Sequence, residues 1–464
     1  MERKLTTDER IDALLVRIDN LETELHQVKQ ENQSLKTEVV RLTKRLEKYE
    51  NPKNSKNSSK PPSSDFPHQQ KTQSLRESSD KKPGGQLGHE GTTLKMVSKP
   101  DIIKEHSPSY CTCCGEDLSS QPSCFSGKRQ VIDIPPITPI VTEHQLFDKI
   151  CKCGHLNQAS YPMGVTASVS YGENVQGLIA YLSTRQYLPV KRLSELLSDT
   201  FGLSVSTGGI GYILNKMRMK AVTTYESIRQ NVLKSSVIGA DETGVNINGK
   251  NNWAWTYQHE GATFIAIHPN RGYKAIEQTM PEGFQNNILV TDCWPSYFMT
   301  NALSHQICTA HLLRELRYLK DLYKKDTWAE RMSILVLKAL ALRKEHNITK
   351  ANVDDVFSSF SELIHEPINL TLNELTPFRK RMVKYSDFVF SFLLYKDVPP
   401  DNNGSERAIR NFKIKLKVSG LFRSFDGAVI FAMLRSVIDT AIKNNGNPLN
   451  VTKLIAQCNV VPSV

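Results

Sequence analysis

The sequence predicts a multidomain α+β protein. Three observations carry that prediction: an unbroken heptad repeat at the N-terminus, paired cysteines in the first half, and a switch from helical periodicity to strand-like runs near residue 236. At 464 residues the chain is too long for one ordinary core. Hydrophobic residues make up 39 % and charged residues 23 %, so most of it should fold. The net charge of +11 suits a polyanionic partner, either nucleic acid or an acidic membrane surface. No apolar segment follows the opening MERKLTTDER, and no run approaches the roughly 20 apolar residues of a membrane span. The expectation is a cytoplasmic protein with no membrane partner.

Residues 1–50 read as a coiled-coil dimerisation helix. Position a of the repeat is Ile11, Ile18, Leu25, Asn32, Val39 and Leu46; position d is Leu14, Leu21, Val28, Leu35, Leu42 and Tyr49. Apolar residues three and four apart in turn keep one stripe along a helix, which a second helix can cover. Asn32 at an a position pairs with its own symmetry mate and favours a parallel dimer in one register. The expected partner is a second copy, as a homodimer or higher oligomer through residues 11–49. One long helix packed on its own domain is the alternative. Residues 51–100 then lose all periodicity: NPKNSKNSSKPPSSD and KKPGGQLGHEG frame a stretch with nine Lys/Arg against four Asp/Glu. That composition predicts a basic flexible linker, either a plain tether or one that lies along phosphates.

Residues 101–165 read as a zinc-binding, zinc-ribbon-like module. The nine cysteines are odd in number and clustered, which in a cytosolic chain points to metal before disulfides. Cys111-Thr112-Cys113-Cys114-Gly115 and Cys151-Lys152-Cys153-Gly154 are two close pairs, each followed by glycine. Together they offer four thiolates to one tetrahedral, structural Zn²⁺. The expected ligands are Cys111, Cys114, Cys151 and Cys153; Cys113 competes, and a set of reduced, unligated thiols is the plain alternative. Val131, Ile132, Ile134, Ile140 and Val141, among Pro135, Pro136 and Pro139, predict short extended strands between the pairs. Cys124, Cys293, Cys308 and Cys458 read as ordinary core or surface residues.

Residues 166–232 read as a small helical domain of three helices. Val175, Leu178, Ile179 and Leu182 mark the first, and Val190, Leu193, Leu196 and Leu197 the second. After the FGLSVST turn, Ile210, Ile213, Leu214 and Met217 mark the third, with Ser206 or Thr207 as its N-cap. Helix, glycine-containing turn and helix outline a DNA-binding helix-turn-helix and a plain bundle equally well.

Residues 233–440 read as a core of strands and helices. VIGAD, GVNI, WAWTYQ and ATFIAIH suggest an antiparallel meander; a helix near 272–280 precedes ILVTD, a buried strand, and QICTA is a further short one. A helical region follows over about 312–395, then a helical segment over 403–445, and residues 441–464 form a C-terminal tail. Three carboxylates sit at element ends. Asp241 closes VIGAD, Asp292 closes ILVTD, and Glu406 opens the helix in DNNGSERAIRNFKIK, which Asp401, Asn402 or Asn403 can cap. A lone aspartate at a strand end is usually a turn former. Three such acids from distant segments repel one another unless cations join them. All-oxygen ligation suits Mg²⁺ or Mn²⁺, and two such ions about 4 Å apart can activate an attacking oxygen and stabilise a leaving one. The expected catalytic and metal residues are therefore Asp241, Asp292 and Glu406. Beside Glu406, Arg407, Arg410, Lys413, Lys415 and Lys417 form a cationic run suited to phosphodiesters.

With these segments in view, the sequence resembles the TnpC-type insertion-sequence transposases, the family numbered sixty-six. The resemblance runs through the N-terminal zipper, NSKNSSKPPSSD, KKPGGQLGHEG, the paired cysteines, GADETGV, LVTDCWPSY, CTAHLLREL, DNNGSERAIRNFK and the tail GLFRSFDGAVIFAMLRSVIDTAIKNNGNPL. It implies a ribonuclease-H-like catalytic core with a helical insertion. It matches Asp241 to the family's ADET segment, Asp292 and Tyr297 to its DxxxxY segment, and Glu406 to its NNxxER segment. His311 and Arg314 match a motif expected to contact DNA, or to start a helix near the cleft. Gly244 departs from a common proline, and Cys293-Trp294-Pro295 replaces a smaller run; neither touches a carboxylate. The implied activity is metal-dependent cleavage of element ends and transfer of the 3′-hydroxyl to target DNA. The implied partners are terminal inverted repeats, target DNA and companion proteins of the same element. The implied setting is a bacterial or archaeal cytoplasm, on the nucleoid. An inactive DNA-binding regulator and a nuclease or junction resolvase share many of these features.

Overall fold

The computed structural model describes residues 7–50, 88, 90 and 94–458, apart from 163, 166, 325, 346–347 and 368–373. Most of the predicted basic linker, 51–87 in particular, lies outside the described residues. The heptad segment is one helix, α1 (Thr7–Glu50). Its apolar a and d side chains from Ile11 to Tyr49 are 49–78 % exposed, so nothing among the described residues covers the stripe.

Among the described residues of 94–165 the only strands are β1 (Lys149–Ile150) and β2 (Leu156–Asn157), an antiparallel hairpin around the second cysteine pair. The strands expected between 131 and 141 do not form. Pro135, Pro136 and Pro139 have no N–H to give to a ladder, and no partner strand lies alongside among the described residues.

The three predicted helices are α2 (Glu173–Thr184), α3 (Val190–Phe201) and α4 (Thr207–Leu233). α3 stops at Gly202, whose φ of +64° an L side chain would resist, and Ser206 caps α4 by accepting from Gly209 N at 3.0 Å. These helices share one core with the sheet: Ile179, Leu193, Ile213 and Met217 pack in the same cluster as Ile238, Ala240, Trp255 and Tyr257.

The sheet holds β3 (Val237–Ile247), β4 (Lys250–Gln258), β5 (Thr263–His268), β6 (Ile288–Thr291) and β7 (Ser304–Ile307), in the order β5-β4-β3-β6-β7. β3, β4 and β5 form an antiparallel meander, and β6 and β7 add on in parallel. The expected break after Asp241 is absent: β3 runs straight through it. Asn248 and Gly249, both at positive φ, make the hairpin turn to β4. α5 (Tyr273–Thr279) precedes β6, whose four residues are all buried, as a strand covered on both faces requires.

After β7 come α6 (Thr309–Leu322), α7 (Trp328–Lys344), α8 (Lys350–His365), α9 (Leu375–Lys384) and α10 (Ser391–Leu394). They gather around Trp328, Phe360, Phe378 and Phe390 and join the sheet through Ile288, Val290 and Ile307. The chain returns as α11 (Asn403–Ser419) and α12 (Phe425–Lys443), whose Phe412 and Phe431 cover Val245, Ala254 and Ile265. Within the segment expected as a tail, residues 448–457 form α13 (Pro448–Gln457), whose Ile455 and Ala456 enter the α2–α4 core.

Candidate active site and cysteine module

Asp241 lies in the middle of β3, the central strand. β3 and β6 run parallel with Gly239 opposite Val290. Carried two residues on, that register sets Asp241 beside Asp292, the first residue after β6, across about 5 Å of strand spacing. The third acid arrives on α11. Gly239, two before Asp241, shares its face. A Cβ there would come within 2.5 Å of Gln258 Nε2, 2.7 Å of Asn402 Oδ1 and 2.8 Å of Ser405 Oγ, and one on Gly404 would collide with Gln258. Two glycines thus let the first turn of α11 settle directly on the sheet. Asn402 Nδ2 adds a hydrogen bond to Ala240 O at 2.6 Å, which leaves Glu406 beside the Asp241 face.

Burial pushes the Asp241 carboxyl well above the usual carboxylate range, helped by Glu242, Asp292 and Glu406. Asp292 is pushed up to about 7 by burial and by Glu242, against the N–H of Trp294 and the charge of Arg271. Both aspartates keep some solvent access. The three acids are electrostatic neighbours, but among the described residues their oxygens do not all lie within 4.8 Å of one another. Glu406 turns Oε1 towards Arg314 Nη2 at 3.4 Å and His311 Nε2 at 3.7 Å.

Sequence reasoning missed Glu242. Strand alternation sends it to the face opposite Asp241, where its side chain is 1 % exposed. Tyr297 Oη donates to it at 2.5 Å and Arg271 Nε at 2.8 Å. The Arg271 guanidinium lies 4.8 Å over the Trp253 ring and 3.9 Å over Trp294. A buried anion needs such a partner. The alternation that sends Glu242 inward is a local signal; the identity of Arg271 as its partner is not.

Of the cations expected to meet DNA, Arg407, Arg410 and Lys417 are exposed on α11. Lys413 is half-buried, and burial draws its ammonium below its ordinary pKa against the pull of Asp241 and Glu406. Lys415 is a correction. Its Nζ turns inward onto the carbonyls of Ser183 at 3.3 Å, Tyr187 at 3.5 Å and Leu188 at 3.2 Å. Burial pushes it down to about 8. It clamps α11 to the C-terminal end of α2, where carbonyls attract a cation. His311 and Arg314 face Glu406 from the first turns of α6.

The two cysteine pairs make related turns, the first one residue longer than the second. Gly115 N donates to Cys111 O at 2.9 Å and Gly154 N to Cys151 O at 2.8 Å, with φ of +75° and +86° at the glycines. Backbone N–H groups of Cys114 and Cys113 hold the Cys111 thiol below its ordinary pKa, and that of Cys153 does the same for Cys151. Sulfurs ringed by N–H groups favour the thiolate, so each pair fits zinc. The four sulfurs are not gathered into one cluster, since no three cysteines lie within 4.8 Å among the described residues. The chain between the pairs buries no side chain, so apolar packing does not pull them together.

A family model described as Transposase IS66 family matches residues 168–430, which include Asp241, Asp292 and Glu406. The zinc-finger binding domain of transposase IS66 matches residues 108–154, which include all four expected zinc ligands. A family of unknown function matches residues 8–95. No curated relative matches the chain.

Proposed function

The chain belongs to the IS66 transposase family, and from that premise we propose that Asp241, Asp292 and Glu406 are the carboxylates of a DDE site in a ribonuclease-H-like core. Family membership implies DNA transposition of an insertion sequence, and the zinc-finger match supports structural zinc. The observation that carries the finer reading is topological. Asp241 and Asp292 stand on neighbouring parallel strands of a sheet ordered β5-β4-β3-β6-β7, and two glycines let the helix of Glu406 dock against the same face.

The donors are carboxylate oxygens, which fit a hard cation such as Mg²⁺ or Mn²⁺. When bound, that cation supplies Lewis acidity to the attacking and leaving oxygens. The chain's own residues do the rest. Arg407, Arg410 and Lys417 hold phosphates along the exposed side of α11, and Lys413 offsets negative charge nearer the acids. Glu242 and Arg271 brace β3 against the Trp294 loop, which fixes Asp292. Hydrolysis at an element end frees a 3′-hydroxyl. That hydroxyl then attacks a target phosphorus, forming one phosphodiester as another breaks, with no external energy source.

The bare apolar stripe of α1 supports dimerisation through residues 11–49, as a parallel coiled coil registered by Asn32. Residues 101–165 and α2–α4 are read as the modules that engage inverted-repeat ends. No described helix is long and apolar enough to cross a membrane.

The test is a strand-transfer assay with Mg²⁺ on DNA carrying the element's ends, run beside Asp292→Asn. Product should fall by at least a hundredfold in the variant. Equal product from both proteins would remove the assignment.

A further inference from the structure

α6 opens with Cys308, Thr309, Ala310 and His311. Cys308 stands just before the first turn and His311 three residues on, so both side chains leave the same side of the helix start. Glu406 reaches the same place from α11. A thiol sulfur, an imidazole nitrogen and a carboxylate oxygen then lie within 4.8 Å of one another, a grouping no other His, Cys, Asp or Glu trio attains among the described residues. We propose that Cys308, His311 and Glu406 form a site for a thiophilic divalent cation of the Zn²⁺ type, separate from the cysteine module and from the hard-cation position of the aspartates.

The donor types choose the ion. Sulfur, nitrogen and one carboxylate suit Zn²⁺ or Co²⁺, whereas Mg²⁺ takes oxygen. A tetrahedral zinc ion separates such donors by roughly 3.3–3.8 Å, and His311 Nε2 already stands 3.7 Å from Glu406 Oε1. The Cys308 sulfur is fully buried, accepts from Asn402 N at 3.2 Å, and faces the N–H groups of Ala310 and His311. Burial outweighs those donors and pushes the thiol up to about 12, so the sulfur becomes a ligand only when a cation displaces its proton. His311 is mostly buried, and its Nδ1 has no hydrogen-bond partner. Three protein ligands leave one coordination position open, unlike the closed four-thiolate set expected of the cysteine module. Arg314 holds the same Glu406 oxygen at 3.4 Å, so the cation must compete with it, and this site fills after the cysteine module. Because Glu406 is shared, occupancy takes it away from the aspartates and inhibits Mg²⁺-dependent strand transfer. This last consequence rests on the catalytic role proposed above for Glu406.

The experiment is zinc analysis of the full-length protein, dialysed against Zn²⁺ under reducing conditions, beside Cys308→Ser and His311→Asn. Wild type should hold about one zinc per chain more than either variant, with the cysteine-module zinc retained in all three. Equal zinc content in the three proteins overturns the site. Stepwise Co²⁺ loading gives a second reading that depends less on folding of the variants. The last equivalent to bind wild type should add thiolate-to-cobalt absorption that Cys308→Ser lacks, and an identical titration in both overturns the site. Adding Zn²⁺ to a Mg²⁺ strand-transfer reaction then separates the two assignments. A site present by metal analysis whose filling leaves strand transfer untouched would strike the catalytic role of Glu406 and leave the site standing.

Discussion

Asn402 Nδ2 donates to the carbonyl of Ala240 at 2.6 Å, joining the residue before α11 to the residue before Asp241. Asn402 is 2 % exposed, and its own N–H bonds the Cys308 sulfur, so one side chain sits at the meeting of β3, α6 and α11. Asn402→Ala leaves a buried carbonyl without its partner and should cost about 1–3 kcal/mol of stability. Strand transfer should fall further than the loss of folded protein accounts for, because Glu406 loses its anchor. Gly404→Ala should act in the same direction, since the added methyl displaces the end of the Gln258 side chain. Denaturation curves beside rates per folded molecule decide this. A destabilised Asn402→Ala protein with a full rate would mean that other contacts place Glu406.

Asp292 carries a pH signature. Its carboxyl is pushed up to about 7 from 3.8, mainly by burial. An acid with a raised folded pKa binds its proton more tightly when folded. Its contribution to stability is present below the unfolded pKa and is lost as pH climbs through the folded one, here from about pH 4 to 7. A shift of that size corresponds to at most about 4 kcal/mol. A divalent cation relieves the penalty by compensating the carboxylate. Mg²⁺ should therefore raise Tm more at pH 8 than at pH 5, and Asp292→Asn should raise the Tm of the metal-free protein at pH 8. A Mg²⁺ effect on Tm that is the same at both pH values would count against this account.

The legible parts of the fold are those set by local chemistry. Gly202 and Ser206 punctuate α3 and α4, and the all-apolar ILV run marks β6 as a buried strand. α6 to α10 were legible as helices, and the three acids as candidates for a site. What was not legible depends on contacts between distant segments. Thr243-Gly244 looks like a break after Asp241, yet Gly244 pairs with Trp253, and a Cβ there would stand 3.1 Å from Asn251 Oδ1. That glycine permits close packing within a strand. Lys415 reads as one more cation of a basic face until the α2–α3 turn is seen to cover it. Cys308 reads as an ordinary core residue until Glu406 is brought beside it from α11.

The cysteine module should depend on its metal. Between residues 115 and 150 no side chain is buried, and β1 and β2 have two residues each, so little besides metal–thiolate bonds can hold the halves together. Cys111→Ser or Cys151→Ser should expose this stretch to proteolysis while the sheet and its helices melt at an unchanged temperature, and a chelator should expose it likewise. Limited digestion with and without added Zn²⁺ reads the outcome. Equal cleavage in both conditions would argue that the thiols carry no metal.

The cations of α11 divide by where their side chains point, and salt dependence separates them. Arg407, Arg410 and Lys417 are exposed, so each phosphate contact they make should release counterions from DNA. Alanine at any one of them should weaken DNA binding and reduce the slope of log K against log salt concentration by about 1. Lys415→Ala should leave the slope unchanged, because that ammonium is spent on the carbonyls of Ser183, Tyr187 and Leu188. Its cost should appear as about 1–3 kcal/mol of stability, through buried carbonyls left without a donor. Binding isotherms at several salt concentrations, with a denaturation curve for each variant, distinguish the two behaviours. A Lys415→Ala protein of unchanged stability and shallower salt slope would reverse the assignment and return Lys415 to the DNA-facing set.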